Sequence, residues 1–130
     1  MSRVFLSYAV EDRPFAERVR RALSRHGART FDPAHDIRLG DDFSDAILKA
    51  LRQADLVVFV VPRFEGQGKA ALVELGAAKA MGKRIVSVFP DRARAANTDV
   101  ATALSETHYL GAGSDLDGWV ARVLSELQAA

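Results

Sequence analysis

The chain has 130 residues, 48% hydrophobic and 27% charged, the size and balance expected of one soluble domain over 1–130 with a single core. Its 18 Lys and Arg against 17 Asp and Glu leave a net charge of +1, without the basic excess that direct nucleic-acid binding requires. It holds no cysteine, which excludes disulfide frameworks, Cys-ligated zinc and thiol chemistry.

Residues 4–8 (VFLSY) predict a first strand. Asp12 as N-cap and Pro14 in the first turn open a helix whose Phe15, Val19, Ala22 and Leu23 recur at helical spacing. Gly27 closes it in the position that tolerates a left-handed backbone. Residues 29–32 predict a short second strand, followed by the polar loop DPAHDIRLGDD. A helix is expected over about 42–54, with Phe43, Ile47, Ala50 and Leu51 facing inward. Residues 56–61 (LVVFVV) are the continuous run expected of a central parallel strand buried on both faces, and Pro62 ends it. A third helix is expected over 69–81, closed by Gly82, and a fourth strand over 84–89, closed by Pro90. Residues 91–106 are Ala-rich with weak periodicity and predict a loop with a short helix. Residues 107–110 predict an edge strand. The last helix opens on a capping-box pattern at Ser114 and Asp117 and carries Leu116, Val120, Val123, Leu124 and Leu127 at core spacing.

The start, Met1-Ser2-Arg3 followed by a short apolar run, is not that of a secretory signal. The longest apolar run, 56–62, is far below the roughly 20 residues that span a bilayer. No membrane association is expected, and the absence of cysteine suits the cytoplasm. Alternation of strand and helix predicts an α/β three-layer domain with a parallel sheet. In such sheets ligands bind beyond the carboxyl ends of the strands, here after Tyr8, after Asp32 and after Val61.

Several α/β chemistries are rejected by inspection. VFLSYAVEDRP contains no glycine-rich phosphate or dinucleotide turn after strand one. A phosphoacceptor receiver needs an Asp at the end of strand three, where Val61 and Pro62 stand. His26, His35 and His108 are scattered, so no metal site is expected, and no serine sits in a nucleophile elbow.

AALVELGAAKAMGKRIV is the segment that stands out. Glu74 lies about one and a half turns into the third helix, and its neighbours three and four residues away are Ala70, Ala71, Ala77 and Ala78. No cation lies at those spacings to form an intrahelical pair. The small neighbours are expected to leave a hollow around the carboxylate. A solvated helical glutamate and a functional one both fit this pattern.

Taken in order, VFLSYAVEDRPFAERVRRALSRHG, ARTFD, DIRLGDDFSDAILKALRQADLVVFVVP, the Glu74 helix and GKRIVSVFP resemble a TIR domain of the bacterial type. The resemblance runs strongly from Val4 to Phe89 and weakly beyond. It implies a flavodoxin-like sandwich, a five-stranded parallel sheet in order 2-1-3-4-5 with helices on both faces. It places Glu74 on the family's catalytic glutamate and residues 32–42 on the loop that covers the site and drives assembly between TIR domains. The activity implied is NAD⁺ glycohydrolysis, cleavage of the nicotinamide–ribose bond with or without cyclisation of the ADP-ribose. NAD⁺ enters as substrate, and no cofactor is required. The biological setting implied is antiphage or other immune signalling, triggered by self-assembly under a fused or separate sensor.

The same resemblance sets Tyr8, Ala9, Val10, Asp32, Arg38, Phe43 and Arg63 around the substrate. Relatives carry an aromatic four residues before the glutamate, where this chain has Ala70, and basic residues after the strand-one Tyr, where it has Ala9 and Val10. Arg38 stands where some relatives are acidic and is suited to a phosphate. Tyr8 either lines the pocket mouth or packs on the first helix. Asp32 either touches ribose or serves the turn before Pro33. Phe43 either flanks the pocket or joins the core, and Arg63 either meets a phosphate or is solvated. Arg18, Arg20, Arg21 and Arg25, set against Asp32, Asp36, Asp41 and Asp42, predict complementary surfaces for self-association. Two other functions fit parts of the pattern. One is a non-catalytic TIR–TIR interaction module; the other is a nucleoside-deoxyribosyltransferase-like enzyme, because VELGAAKAMGKRIV also resembles that superfamily's nucleophile helix.

Overall fold

The structure, a computed structural model, describes residues 2–33, 43–62, 69–90, 106–109 and 115–129. These form β1 (Arg3–Ser7), α1 (Arg13–Arg25), β2 (Arg29–Phe31), α2 (Phe43–Gln53), β3 (Leu56–Val60), α3 (Lys69–Ala80), β4 (Ile85–Phe89), β5 (Glu106–Tyr109) and α4 (Leu116–Ala129). The strands make one five-stranded sheet in the order β2-β1-β3-β4-β5, every neighbouring pair parallel. Each predicted strand is present within a residue of its expected bounds. Arg38 and Arg63, most of the loop after β2, and nearly all of 91–106 lie outside the described residues.

Alternation along the strands sorts the core into two layers. Val4, Leu6, Val58, Val60, Val86 and Val88 point to one face and meet Ala16, Val19, Ala22 and Leu23 of α1 and Trp119, Val120 and Val123 of α4. Phe5, Val57, Phe59 and Ile85 point to the other and meet Leu51 of α2 with Ala71, Leu75 and Ala78 of α3. β3 is buried along its whole length, which is why its sequence is apolar at every position rather than at alternate ones. The rings of Phe5 and Phe31 stack across β1 and β2, centroids 5.4 Å apart.

The element ends use local chemistry. Gly27 and Gly82, at φ 83° and 71°, turn the chain out of α1 and α3 in a conformation that disfavours any side chain. Lys83 donates from Nζ to the carbonyls of Arg52 and Ala54, at 2.7 and 3.0 Å, and so closes the carboxyl end of α2. The last helix corrects the predicted cap. Its cap is Asp115, whose Oδ1 accepts the Gly118 amide at 2.9 Å. The helix begins at Leu116, so the capping side chain belongs one residue after Ser114, directly before the first helical turn.

Candidate active site at the carboxyl end of the sheet

The chain leaves β1 to build β2 on one side and returns to build β3 on the other. The strand order therefore reverses between β1 and β3, and the crevice beyond their carboxyl ends is the place where such sheets bind ligands. β1 ends there at Ser7, paired in register with Phe59 of β3. α3 runs back over this seam from the end of β3, laying Ala71, Leu75 and Ala78 on the sheet at i, i+4 and i+7. Ala71 and Ala78 do not leave a hollow, as their small size predicts. They are buried in the core, and their lack of bulk lets the helix lie directly on the strands.

That close approach carries Glu74 inward. Glu74 is 8% exposed, and its Oε1 accepts a hydrogen bond from the Ser7 hydroxyl at 2.7 Å. Burial raises the Glu74 carboxyl from 4.5 to about 6; the Ser7 hydrogen bond pulls against this rise, and the charge of Asp32 adds to it. A carboxylate so placed is poised to change charge near neutrality, and it is not a solvated helical glutamate.

Tyr8 and Asp32 stand beside this pair. The Tyr8 hydroxyl lies 2.8 Å from Oδ1 and 2.9 Å from Oδ2 of Asp32, so its proton is shared between the two oxygens. Burial first, then the hydrogen bond and charge of Asp32, push the phenol well above its ordinary value, so Tyr8 is a fixed neutral donor. Its ring also packs against the layer formed by α1 and α4. Asp32 is 0% exposed, so its carboxylate is closed off from solvent. Of the remaining predicted residues, Ala9 is buried and Val10, in the short 3₁₀ turn Val10–Asp12, is 74% exposed. Phe43 begins α2.

Ser7 is the residue that sequence reasoning passed over. The signal was present: a hydroxyl interrupts the apolar run VFLSY at the same parity as Phe5, which aims it at the α3 layer. Among the described residues no three His, Asp or Glu side chains gather to hold a metal ion. None of the described helices is long and apolar enough to cross a membrane. A cavity of about 460 Å³ opens at the other end of the sheet, between Arg3, Arg29, Phe31 and Gln53, away from Glu74.

The predicted surface for self-association is corrected at Asp32. Arg20 pairs with Glu17 at 3.0 Å and Arg25 with Asp117 at 2.9 Å, both at the surface of the fold. Asp32, being buried, presents no charge to a partner. Arg18 and Arg21 remain exposed, and Asp36, Asp41 and Asp42 lie outside the described residues.

A parallel α/β sandwich with a buried glutamate at the switch point defines the class, and comparison with known proteins defines the family. The chain belongs to the TIR domain family, which it matches over residues 4–115. Its fold is similar to the TIR domains of the activated Roq1 resistosome that directly recognises the pathogen effector XopQ. The TM-score is 0.72 at 21% identity, covering 98% of this chain and 99% of that one. It is similar to the TIR domain of the Toll-related receptor TRR-2 from Hydra magnipapillata, with TM-score 0.71, 20% identity, and 96% and 97% covered. It is also similar to the CMP N-glycosidase BcmB of Clostridium botulinum, with TM-score 0.65, 18% identity, and 96% and 99% covered. No match was found among curated proteins.

Proposed function

We propose that this TIR domain is an NAD⁺ hydrolase with Glu74 as its catalytic residue. The observation that carries the reading is the burial of Glu74 at the β1–β3 crevice, with one oxygen held by Ser7. Cleavage of NAD⁺ suits a lone carboxylate. Nicotinamide leaves with the electron pair of the C1′–N bond as a neutral molecule, so it needs no general acid. The ribose left behind resembles an oxocarbenium ion, as in glycoside hydrolysis. An anion fixed beside it stabilises the developing positive charge and orients the hydroxyls. Water then bonds to C1′ and releases a proton, giving ADP-ribose; attack by a group of the same ADP-ribose in place of water, with loss of its proton, gives a cyclic product.

Tyr8, Ala9, Val10, Phe43, Arg38 and Arg63 are proposed to surround the substrate, with Asp32 acting through Tyr8. Assembly with other TIR domains, under a fused or separate sensor in a cytoplasmic immune response, is proposed as the trigger. The Roq1 TIR domains of similar fold belong to an activated resistosome, which supports that part of the reading. One finding favours a second substrate class. BcmB, an N-glycosidase named for CMP, has a similar fold, so cleavage of a nucleotide N-glycosidic bond is the runner-up, nearest to the deoxyribosyltransferase-like reading.

The deciding experiment follows nicotinamide release from NAD⁺ with the protein concentrated on a crowding surface, and repeats it with Glu74→Ala. Release by the wild type and its loss in the variant are expected. Silence under every assembly condition would leave an interaction module, release that survives Glu74→Ala would dismiss the site, and base release from CMP alone would favour the second substrate.

A further inference from the structure

We propose that Ser7 is the positioning residue of this site: by donating to Oε1 it fixes the Glu74 carboxylate and leaves Oε2 as the oxygen that meets the ribose. The inference rests on the NAD⁺-cleaving reading of Glu74. Ser7 is 1% exposed, and its hydroxyl has one proton to give. The acceptors in reach are Glu74 Oε1 at 2.7 Å and the Ala71 carbonyl at 3.4 Å, so the carboxylate takes the proton and the carbonyl is the weaker contact.

Packing does not require this pair. Ala71, Leu75 and Ala78 already hold α3 on the sheet, and a buried polar pair is often replaceable by apolar groups without loss of stability. A hydroxyl and a carboxylate placed between apolar layers at the ligand-binding crevice therefore call for a chemical role.

Among the described residues, little else on the surrounding elements offers to hold the carboxylate. α3 packs on β1, β3, β4 and α2. β3 is apolar throughout, and β4 carries buried Ser87 but no charged residue. Arg3 lies exposed at the far end of β1, and Asp45, Lys49 and Arg52 lie exposed on α2. Lys79 is exposed further along α3. Asp32 contributes charge of the same sign, which opposes ionisation. Ser7 is the donor that favours the ionised form.

The test is Ser7→Ala, with Ser7→Thr as the variant that restores the hydroxyl. In Ser7→Ala, kcat for nicotinamide release should fall about tenfold with KM nearly unmoved, and the acidic limb of the rate profile should move about one pH unit towards neutrality. The ¹³C signal of the Glu74 carboxyl should titrate higher by the same interval, and Ser7→Thr should recover both. If Ser7→Ala does not fold, Ser7→Cys, a weaker donor of similar size, should shift the carboxyl titration in the same direction. An unshifted carboxyl titration in a folded variant would overturn the proposal. Failure of the NAD⁺ reading is separate: it is the absence of nicotinamide release by the wild type, and the carboxyl titration still decides the coupling of Ser7 to Glu74.

Discussion

The two ends of the sheet treat charge in opposite ways. At the amino ends Arg3, Arg29 and Asp55 are exposed, and polar groups there finish secondary structure: Asp55 accepts the Arg3 amide and Lys83 closes α2. At the carboxyl ends Asp12, Asp32 and Glu74 are buried, and Ser7 and Tyr8 donate to two of them. Solvated charges contribute little and ask little, whereas buried carboxylates cost stability unless held. Among the described residues the fold accepts this expense at one end only, which marks that end as the place where chemistry is done.

The strongest way to break the comparison is Glu74→Gln. NAD⁺ cleavage should fall about 100- to 1,000-fold, read as nicotinamide released per protein. Stability should move the other way. The folded state binds the Glu74 proton more tightly than the unfolded chain, with 4.5 raised to about 6. The wild type is therefore relieved of this burden below pH 4.5 and carries it fully above pH 6, at about 2 kcal/mol. Urea unfolding should find the variant more stable at pH 8, with the gain vanishing near pH 4. A gain independent of pH would show that Glu74 is not the group responsible. The same titration predicts that activity declines as pH falls through about 6, because the anion is the active form.

Tyr8→Phe should come next, costing about 1–3 kcal/mol by removing a donor from buried Asp32. Chemical denaturation measures the loss, and KM for NAD⁺ tests whether the Tyr8 edge also meets substrate. At the amino ends the effects shrink. Lys83→Met should cost about 0.5–1.5 kcal/mol by uncapping α2 while leaving turnover unchanged. Arg25→Ala, which breaks an exposed pair with Asp117, should cost no more than about 1 kcal/mol in the same assay. Turnover lost with Lys83→Met would mean that the two ends are coupled, and the contrast between them would fail.

The contrast was legible in part. Glu74 stands out in the sequence because no cation lies within one turn of it, and alternation of strand and helix locates the crevice. The sense of the small neighbours was not legible. Alanines beside a carboxylate read equally as a hollow or as a surface for close packing, and only the strands lying against Ala71 and Ala78 decide between them. Asp32 was equally ambiguous, because an Asp before Pro33 suits any turn. In the fold it is buried and accepts from Tyr8, 24 residues away.

Local pattern by itself determined the strands, the helices, the layered class and the position of Glu74 on its helix. These follow from periodicity and from the few residues that end each element, both properties of neighbours in the chain. Tertiary structure decided what Glu74 touches. Its partner Ser7 lies 67 residues away, and hydrogen bonding and desolvation act through space over a few ångströms. The burial that makes this carboxylate unusual exists only once α3 lies on the sheet.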